Sequence, residues 1–168
     1  MAAVYEPLQR YLRRRTDPAT ADDVVGDVLL VLWRRLDDVP GDLPLPYAYG
    51  VARGCLANSR RSAVRQERVV QRLAQQHRPD DGVPDDPLVG ALTDALAALP
   101  EADRELLRLW AWEQLPPREI ALVLGTTANA VSIRLHRARQ KLKDLLDARK
   151  NGDATGQTGT RRGGGGGR

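Results

Sequence analysis

Wherever apolar residues gather in this chain they recur three and four positions apart, and nowhere do they alternate with polar residues over the length of a strand. That spacing lines one side of a helix, so an all-α fold is expected. Val4 to Arg15 reads as a first helix with Tyr5, Leu8 and Leu12 on one face. Thr16-Asp17-Pro18 stops it, because a proline disfavours helix at the residue before it. Val25, Val28, Leu29, Leu32 and Leu36 mark a second helix, with Thr20 as its N-cap and Asp23 three residues on. Gly26 lies inside it, and close packing is the expected reason. Residues 37–46, DDVPGDLPLP, form a loop. A third helix begins at Pro46 or Tyr47 and runs at least to Arg61 and at most to Gln76. Ala48, Val51, Ala52, Cys55 and Leu56 form its apolar stripe, and Gly50 and Gly54 allow another backbone to come close. Aromatics make up only 4% of the chain and Phe is absent. The core must therefore be Leu, Val and Ala, which suits helix packed on helix better than sheet on sheet.

Residues 78–87, RPDDGVPDDP, interrupt this pattern with prolines, a glycine and acids and read as a linker. Two small domains follow from it, a three-helix domain over 1–77 and a second over 88–149. The second opens with Leu88 to Leu99, with Leu92, Leu96 and Leu99 in register. A helix from Pro100 to about Gln114 carries Leu106, Leu107 and Trp110. A short helix from Pro116-Pro117 ends at Leu124, and a long one capped by Thr126 or Thr127 reaches about Arg149. The remainder, 150–168, is rich in Gly and has no apolar surface to bury, so it is expected to be disordered.

One Cys excludes an internal disulfide, and with His77 and His136 far apart it argues against structural zinc. No metal and no cofactor is expected. No run approaches the roughly 20 apolar residues needed to span a bilayer, and no signal peptide is visible, so a cytoplasmic location without membrane insertion is expected. The net charge of +4 is modest, but it is segregated into blocks: −5 over 17–44, +6 over 52–78, −7 over 79–105 and +5 over 126–150. A uniformly solvated surface does not usually sort charge this way.

The segment PREIALVLGTTANAVSIRLHRAR, residues 117–139, is a helix, a glycine turn and a longer helix: a helix-turn-helix. Ile120, Ala121 and Leu124 face inward, and Gly125 supplies the positive φ of the turn. Val131, Leu135, Ala138, Leu142 and Leu145 form the buried stripe of the second helix. Asn129, Ser132, Ile133, His136, Arg137 and Gln140 then point outward. Such a face suits the major groove, where Arg reads guanine and Asn reads adenine. Arg134, Arg139, Lys141 and Lys143 flank it and suit phosphate contacts. The bland reading is a helical hairpin with a solvated basic face. The earlier basic block, Arg53 to Arg72, follows Tyr47 and Tyr49. Cations beside exposed aromatics suit single-stranded nucleic acid, unless both rings pack into the core. Asp22, Asp23 and Asp27 begin the second helix, either as charge compensating its dipole or as a docking face for a basic partner.

The order of these parts, from about Tyr5 to Leu146, resembles a bacterial sigma-70-type RNA polymerase sigma factor of the small extracytoplasmic-function (ECF) group. YLRRRTDPATADDVVGDVLLVLWRRL is similar to the start of region 2, PYAYGVARGCLANSRR to its promoter-melting helix, and ALPEADRELLRLWAWEQLPPREIALVLGTTANAVSIRLHRARQKL to region 4. The resemblance implies a non-enzyme that binds core RNA polymerase and directs initiation at promoter DNA. It points to Asp22, Asp23, Asp27 and Trp33 for the clamp helices of the largest subunit. It points to residues 37–46, Tyr47, Tyr49, Arg53, Asn58, Arg60 and Arg61 for the melted −10 element. For the −35 duplex it points to Thr127, Asn129, Ser132, Ile133, Arg134, His136, Arg137, Arg139 and Lys141. It also implies docking on the flap of the second-largest subunit and, as a further partner, an anti-sigma factor. The chain departs from the family pattern at Tyr47-Ala48, Gly54, Asn58 and Ser132-Ile133, which bears on promoter sequence and melting. From the length, neither a region 3 domain nor an acidic N-terminal autoinhibitory region is expected. Two other readings stand beside this one: a helix-turn-helix regulator that binds duplex DNA without polymerase, and an enzyme with Asp22, Asp23 and Asp27 as a metal cluster, which lacks complementary His, Glu or a phosphate loop.

Overall fold

The computed structural model describes the backbone of residues 2–70 and 87–156 and the side chains of 4–65 and 90–149. Of the linker expected over 78–87, residues 78–86 lie outside the described residues and Pro87 opens α4 instead; residues 71–77, with His77, and the tail from 157 also lie outside them. The elements are α1 (Ala2–Arg13), α2 (Pro18–Arg34), a 3-10 turn (Leu36–Asp38), α3 (Pro44–Val70), α4 (Pro87–Ala97), α5 (Glu101–Ala111), α6 (Pro117–Leu124) and α7 (Ala128–Gly156). Among the described residues there is no strand, and no helix is long and apolar enough to cross a membrane.

Several helix ends differ from expectation for local reasons. Pro18 takes the first position of α2, where its fixed φ and missing N–H cost nothing, and forces Asp17 into an extended conformation. The Asp17 carboxylate then accepts the Thr20 N–H at 3.0 Å. Asp17, not Thr20, is the N-cap, and that bond lowers its pKa. The helix stops at Arg34, so Leu36 falls in the 3-10 turn and is exposed. α3 starts at Pro44, earlier than expected, because prolines are tolerated in a first turn that needs no intrahelical donor. α5 ends at Ala111, three residues short of Gln114. α7 continues past Arg149 to Gly156, adding turns that the sequence assigns to the tail; extension of an existing helix fixes one residue per bond and needs no new nucleus.

The described residues form two compact units. One holds α1, α2 and α3 together with the chain from Arg108 to Ser132, which includes α6. The other holds α4, α5 up to Leu107, and α7 from Ile133. The first unit therefore takes in α6, a helix that the sequence assigns to the second half of the chain. Its core is Leu8, Tyr11 and Leu12 of α1, Val24, Val28 and Leu32 of α2, Ala48, Tyr49, Ala52 and Leu56 of α3, and Ile120, Ala121 and Val123 of α6. Tyr5 is 43% exposed and does not join the buried face of α1. A Cβ at Gly50 would stand 3.6 Å from the carbonyl oxygen of Val123, so this glycine lies where α3 and α6 approach closely. Gly26 and Gly54 have nothing within 4 Å of that position, and close packing does not explain them.

In the second unit Ala95, Leu99, Leu106, Leu107, Leu135 and Ala138 are buried. Leu92 is exposed instead. Arg104 of α5 donates to the carbonyls of Ala97 and Leu99, satisfying the end of α4. Lys141 pairs with Asp103 at 3.1 Å and Arg149 with Asp94 at 2.9 Å, tying α7 to α5 and α4.

Candidate nucleic-acid interface

Gly125 closes α6 in the left-handed conformation, at φ 64° and ψ 43°, where a side chain is strained. The Thr126 N–H returns to the Ala121 carbonyl at 3.0 Å. The hydroxyl of Thr127 accepts the Ala130 N–H at 3.2 Å, which makes Thr127 the cap of α7 and frees Thr126 from that role. Ile120 and Ala121 are buried, Val123 joins them, and Leu124 is only half-buried. On α7, Val131, Leu135 and Ala138 are buried, while Leu142 and Leu145 are half-buried.

The opposite side of α7 carries Asn129, Ser132, Ile133, His136, Arg137, Arg139 and Gln140, all exposed, with Arg134 half-buried. Ile133 is 46% exposed, an apolar group among polar ones. Ser132 donates its hydroxyl to the Ala128 carbonyl at 2.9 Å, leaving it lone pairs to present. Lys141 is held by Asp103, so a phosphate would have to compete with a carboxylate for it.

On α3, Arg53, Asn58, Arg60 and Arg61 are exposed. Arg61 donates to the Asn58 side-chain oxygen at 2.7 Å, and Arg60 donates to the Arg15 carbonyl at 2.9 Å. Tyr47 is half-buried. Tyr49 does not belong to a stacking surface. It is 3% exposed, its ring stacks on Tyr11 at 4.7 Å between centroids, and it is a core residue. A stripe position two residues beyond Tyr47 falls on another side of the helix, which is why the two rings part.

Burial, with the Glu113 charge second, pushes the Tyr49 phenol up to about 12. A raised folded value means that its contribution to stability is complete below the ordinary tyrosine value of 10.0 and is lost as pH rises through about 12. Alkaline titration followed by phenolate absorbance should show Tyr49 ionising late. Tyr49→Phe should remove that step and flatten the loss of stability above pH 10; an unchanged titration would rule out the assignment.

On α2, Asp22, Asp23 and Asp27 are exposed. Asp22 accepts from Gln9 at 3.2 Å and from Arg13 at 3.5 Å, both on α1. Among the described residues no group of three or more His, Cys, Asp or Glu is placed to hold a metal. Trp33 is 68% exposed, with Leu30 at 47% and Leu36 at 54%. Asp23, Asp27, Leu30 and Trp33 follow one another at helical spacing along one side of α2. Leu30 and Leu36 were missing from the expected docking set; Leu30 lies off the buried stripe, which is the signal that it faces water. Also absent from expectation is the cluster of Arg14, Arg15 and Glu113, where the Glu113 side chain is 4% exposed.

Residues 90–142 match the family model "Sigma-70, region 4". The chain is 33% identical over 158 residues to the ECF RNA polymerase sigma factor SigL of Mycobacterium tuberculosis, covering 87% of this chain and 88% of that protein. It is 32% identical over 149 residues to the RNA polymerase sigma-E factor of Streptomyces avermitilis, covering 86% and 81%. Among solved structures, the sigma factor RpoE in complex with the anti-sigma factor NepR from Bartonella quintana shares the fold at a TM-score of 0.63 and 20% identity, covering 87% and 93%. CnrH in complex with the cytosolic domain of CnrY matches at a TM-score of 0.53 and 26% identity, covering 88% and 82%. With a third of its residues identical to SigL across most of both chains, and a region 4 model matched over the helix-turn-helix, this protein belongs to the ECF RNA polymerase sigma factors.

Proposed function

We propose that this sigma factor binds core RNA polymerase through α2, holds the melted −10 element on α3, and reads the −35 element as duplex through α7. The polymerase performs nucleotidyl transfer and the chain contributes recognition, as a soluble cytoplasmic, nucleoid-associated protein. Residues 1–77 act as the region 2-like part and 88–149 as the region 4-like part. The observation that carries the reading is the outward face of α7. A helix fixed by a Gly125 turn and a Thr127 cap presents Asn129, Ser132, Ile133, His136 and Arg137 to solvent opposite a buried stripe. Arg137 suits guanine, Asn129 suits adenine and Ile133 suits a thymine methyl, while Arg134 and Arg139 suit phosphates.

For the −10 strand, Tyr47, Arg53, Asn58, Arg60 and Arg61 remain as candidates and Tyr49 drops out. Asp23, Asp27 and Trp33, with Leu30, are the candidates for the clamp helices, and Asp22 stands at their edge. The flap of the second-largest subunit is a further contact. The complexes named for RpoE with NepR and for CnrH with CnrY support an anti-sigma factor as a partner of this chain too. A regulator that works without polymerase finds no support in these relatives.

The test is reconstitution. Core RNA polymerase, the full chain and a library of promoter fragments should yield run-off transcripts that depend on the chain and share one bipartite sequence. If no transcript depends on it, the reading fails.

A further inference from the structure

On the outward face of α7, among polar and cationic side chains, stands one that can neither donate nor accept a hydrogen bond. Ile133 is 46% exposed, and among the described residues it is the only large apolar side chain that α7 turns fully to solvent. Its direction is fixed from the other side of the same helix. Leu135 and Ala138 are buried. Lys141 pairs with Asp103 of α5 at 3.1 Å and Arg149 with Asp94 of α4 at 2.9 Å, which holds α7 in place. His136 and Arg137, three and four residues on, are exposed on the same side as Ile133.

Helix propensity does not explain this residue, because a β-branched side chain is a poorer helix former than Ala, Gln or Lys at an exposed position. A lone apolar residue on a surface is ordinary. What sets Ile133 apart is its place, in the middle of the side chains proposed to meet base edges.

The chemistry of the major groove decides what such a residue can meet. Each base edge there presents hydrogen-bonding atoms, and the C5 methyl of thymine is the one apolar group. Against the N7 and O6 of guanine, the N7 and N6 of adenine or the amino group of cytosine, a branched alkyl chain strips water and returns no hydrogen bond, which is unfavourable. Against the methyl it takes apolar surface out of water on both sides, which is favourable. One side chain thus attracts one group and penalises the rest. We propose that Ile133 reads a C5-methyl group, so that the −35 duplex carries a methylated pyrimidine beneath it: thymine, or 5-methylcytosine, which bears the same methyl on the same edge. This assignment rests on the sigma-factor reading, in which α7 meets the −35 duplex, and it adds a base and its position. Four residues of helix rise about 6 Å and stacked base pairs lie about 3.4 Å apart, so the methyl falls within about two base pairs of the base that Arg137 meets. Where a cytosine occupies that position, its methylation strengthens recognition.

The experiment uses holoenzyme, core polymerase with the full chain, at limiting concentration on a promoter recovered by the reconstitution. Each −35 thymine on either strand is replaced in turn by uracil, which pairs as thymine does and lacks only the methyl. One replacement should lower the transcript about fourfold, the value of one buried methyl group. Ile133→Ala should give equal yields from the thymine and uracil forms at that position, whereas Arg137→Ala should keep their ratio although its overall yield falls. Cytosine paired with guanine there should lower the yield, and 5-methylcytosine should raise it again by about fourfold. If no uracil replacement matters, if the difference survives Ile133→Ala, or if methylating the cytosine brings no gain, Ile133 is not a methyl reader. If no transcript depends on the chain, the sigma-factor reading fails by itself. The uracil series is then run on duplexes that the full chain selects from a random library, and a chain that selects none, or none with a methyl-sensitive thymine, overturns the proposal.

Discussion

Replacing Trp33 with alanine should weaken binding to core RNA polymerase by about 2 kcal/mol or more, roughly thirtyfold, and leave the melting temperature unchanged. The two halves of that expectation have one cause. Trp33 is 68% exposed, so its indole contributes little to the folded chain and its removal leaves no cavity. All three tryptophans are exposed, and Trp33, at 68% against 38% for Trp110 and 43% for Trp112, is the most so. Here it stands beside Leu30 and Leu36, both about half exposed, and on the same side of α2 as Asp23 and Asp27. An apolar centre with a charged rim is the anatomy of a protein interface, and Trp is the residue type whose truncation costs such interfaces most. Leu30→Ala should cost less, because less area leaves the interface. Asp27→Asn should act chiefly on the association rate and its salt dependence, as rim charges do. Titration of labelled chain with polymerase, alongside thermal melts, reads all three. If Trp33→Ala binds as tightly as the unmodified chain, α2 is not the docking face.

The parts of this molecule that were legible in sequence are those set by neighbours a few residues away. Val131, Leu135 and Ala138 recur at spacings of four and three, and that alone places Asn129, Ser132, His136 and Arg137 on the far side of α7. Gly125 marked its turn because few other residues tolerate the φ required. Near-range competition produced the misplacements. Two candidate caps, Asp17 and Thr20, stand three residues apart, and Pro18 decides between them by fixing where the helix can begin. Tyr47 and Tyr49 look alike in sequence, but Tyr49 stands three and seven residues before the buried Ala52 and Leu56 and meets Tyr11 across the interface, so it is core. The Arg15–Glu113 pair was out of reach for a different reason. Its members are 98 residues apart, and Glu113 lies in a stretch whose charges cancel, so no local pattern signals a buried acid. The same holds for α6 on α3. Periodicity says that each helix has an apolar side, but not which helix covers it.

That limit makes Tyr11 the most informative position in the core, and Tyr11→Ala should destabilise the chain by about 3–5 kcal/mol, the range for truncating a buried aromatic. For a chain of this size that is a fall in melting temperature of roughly 6–20 °C. Tyr11 is fully buried, on α1, and its ring is where α1 meets α3 through Tyr49. It also lies under the guanidinium of Arg15, 3.6 Å from its centre. Truncation therefore removes three things together: the buried area of the ring, the stack on Tyr49, and the face that carries a nearly dehydrated cation. Leu8→Ala, equally buried on the same helix, loses area without either aromatic contact and should cost about 2–5 kcal/mol. The two substitutions separate in the behaviour of Tyr49 rather than in stability alone. Without Tyr11 the Tyr49 phenol opens to water, so the desolvation that raises its pKa should lessen and its ionisation should move back toward 10.0. With Leu8→Ala the stack survives and the late ionisation should persist. Thermal melts and alkaline titration of both variants decide it. A Tyr11→Ala chain that keeps both its melting temperature and its late tyrosine would mean that the stacked pair is not what joins α1 to α3.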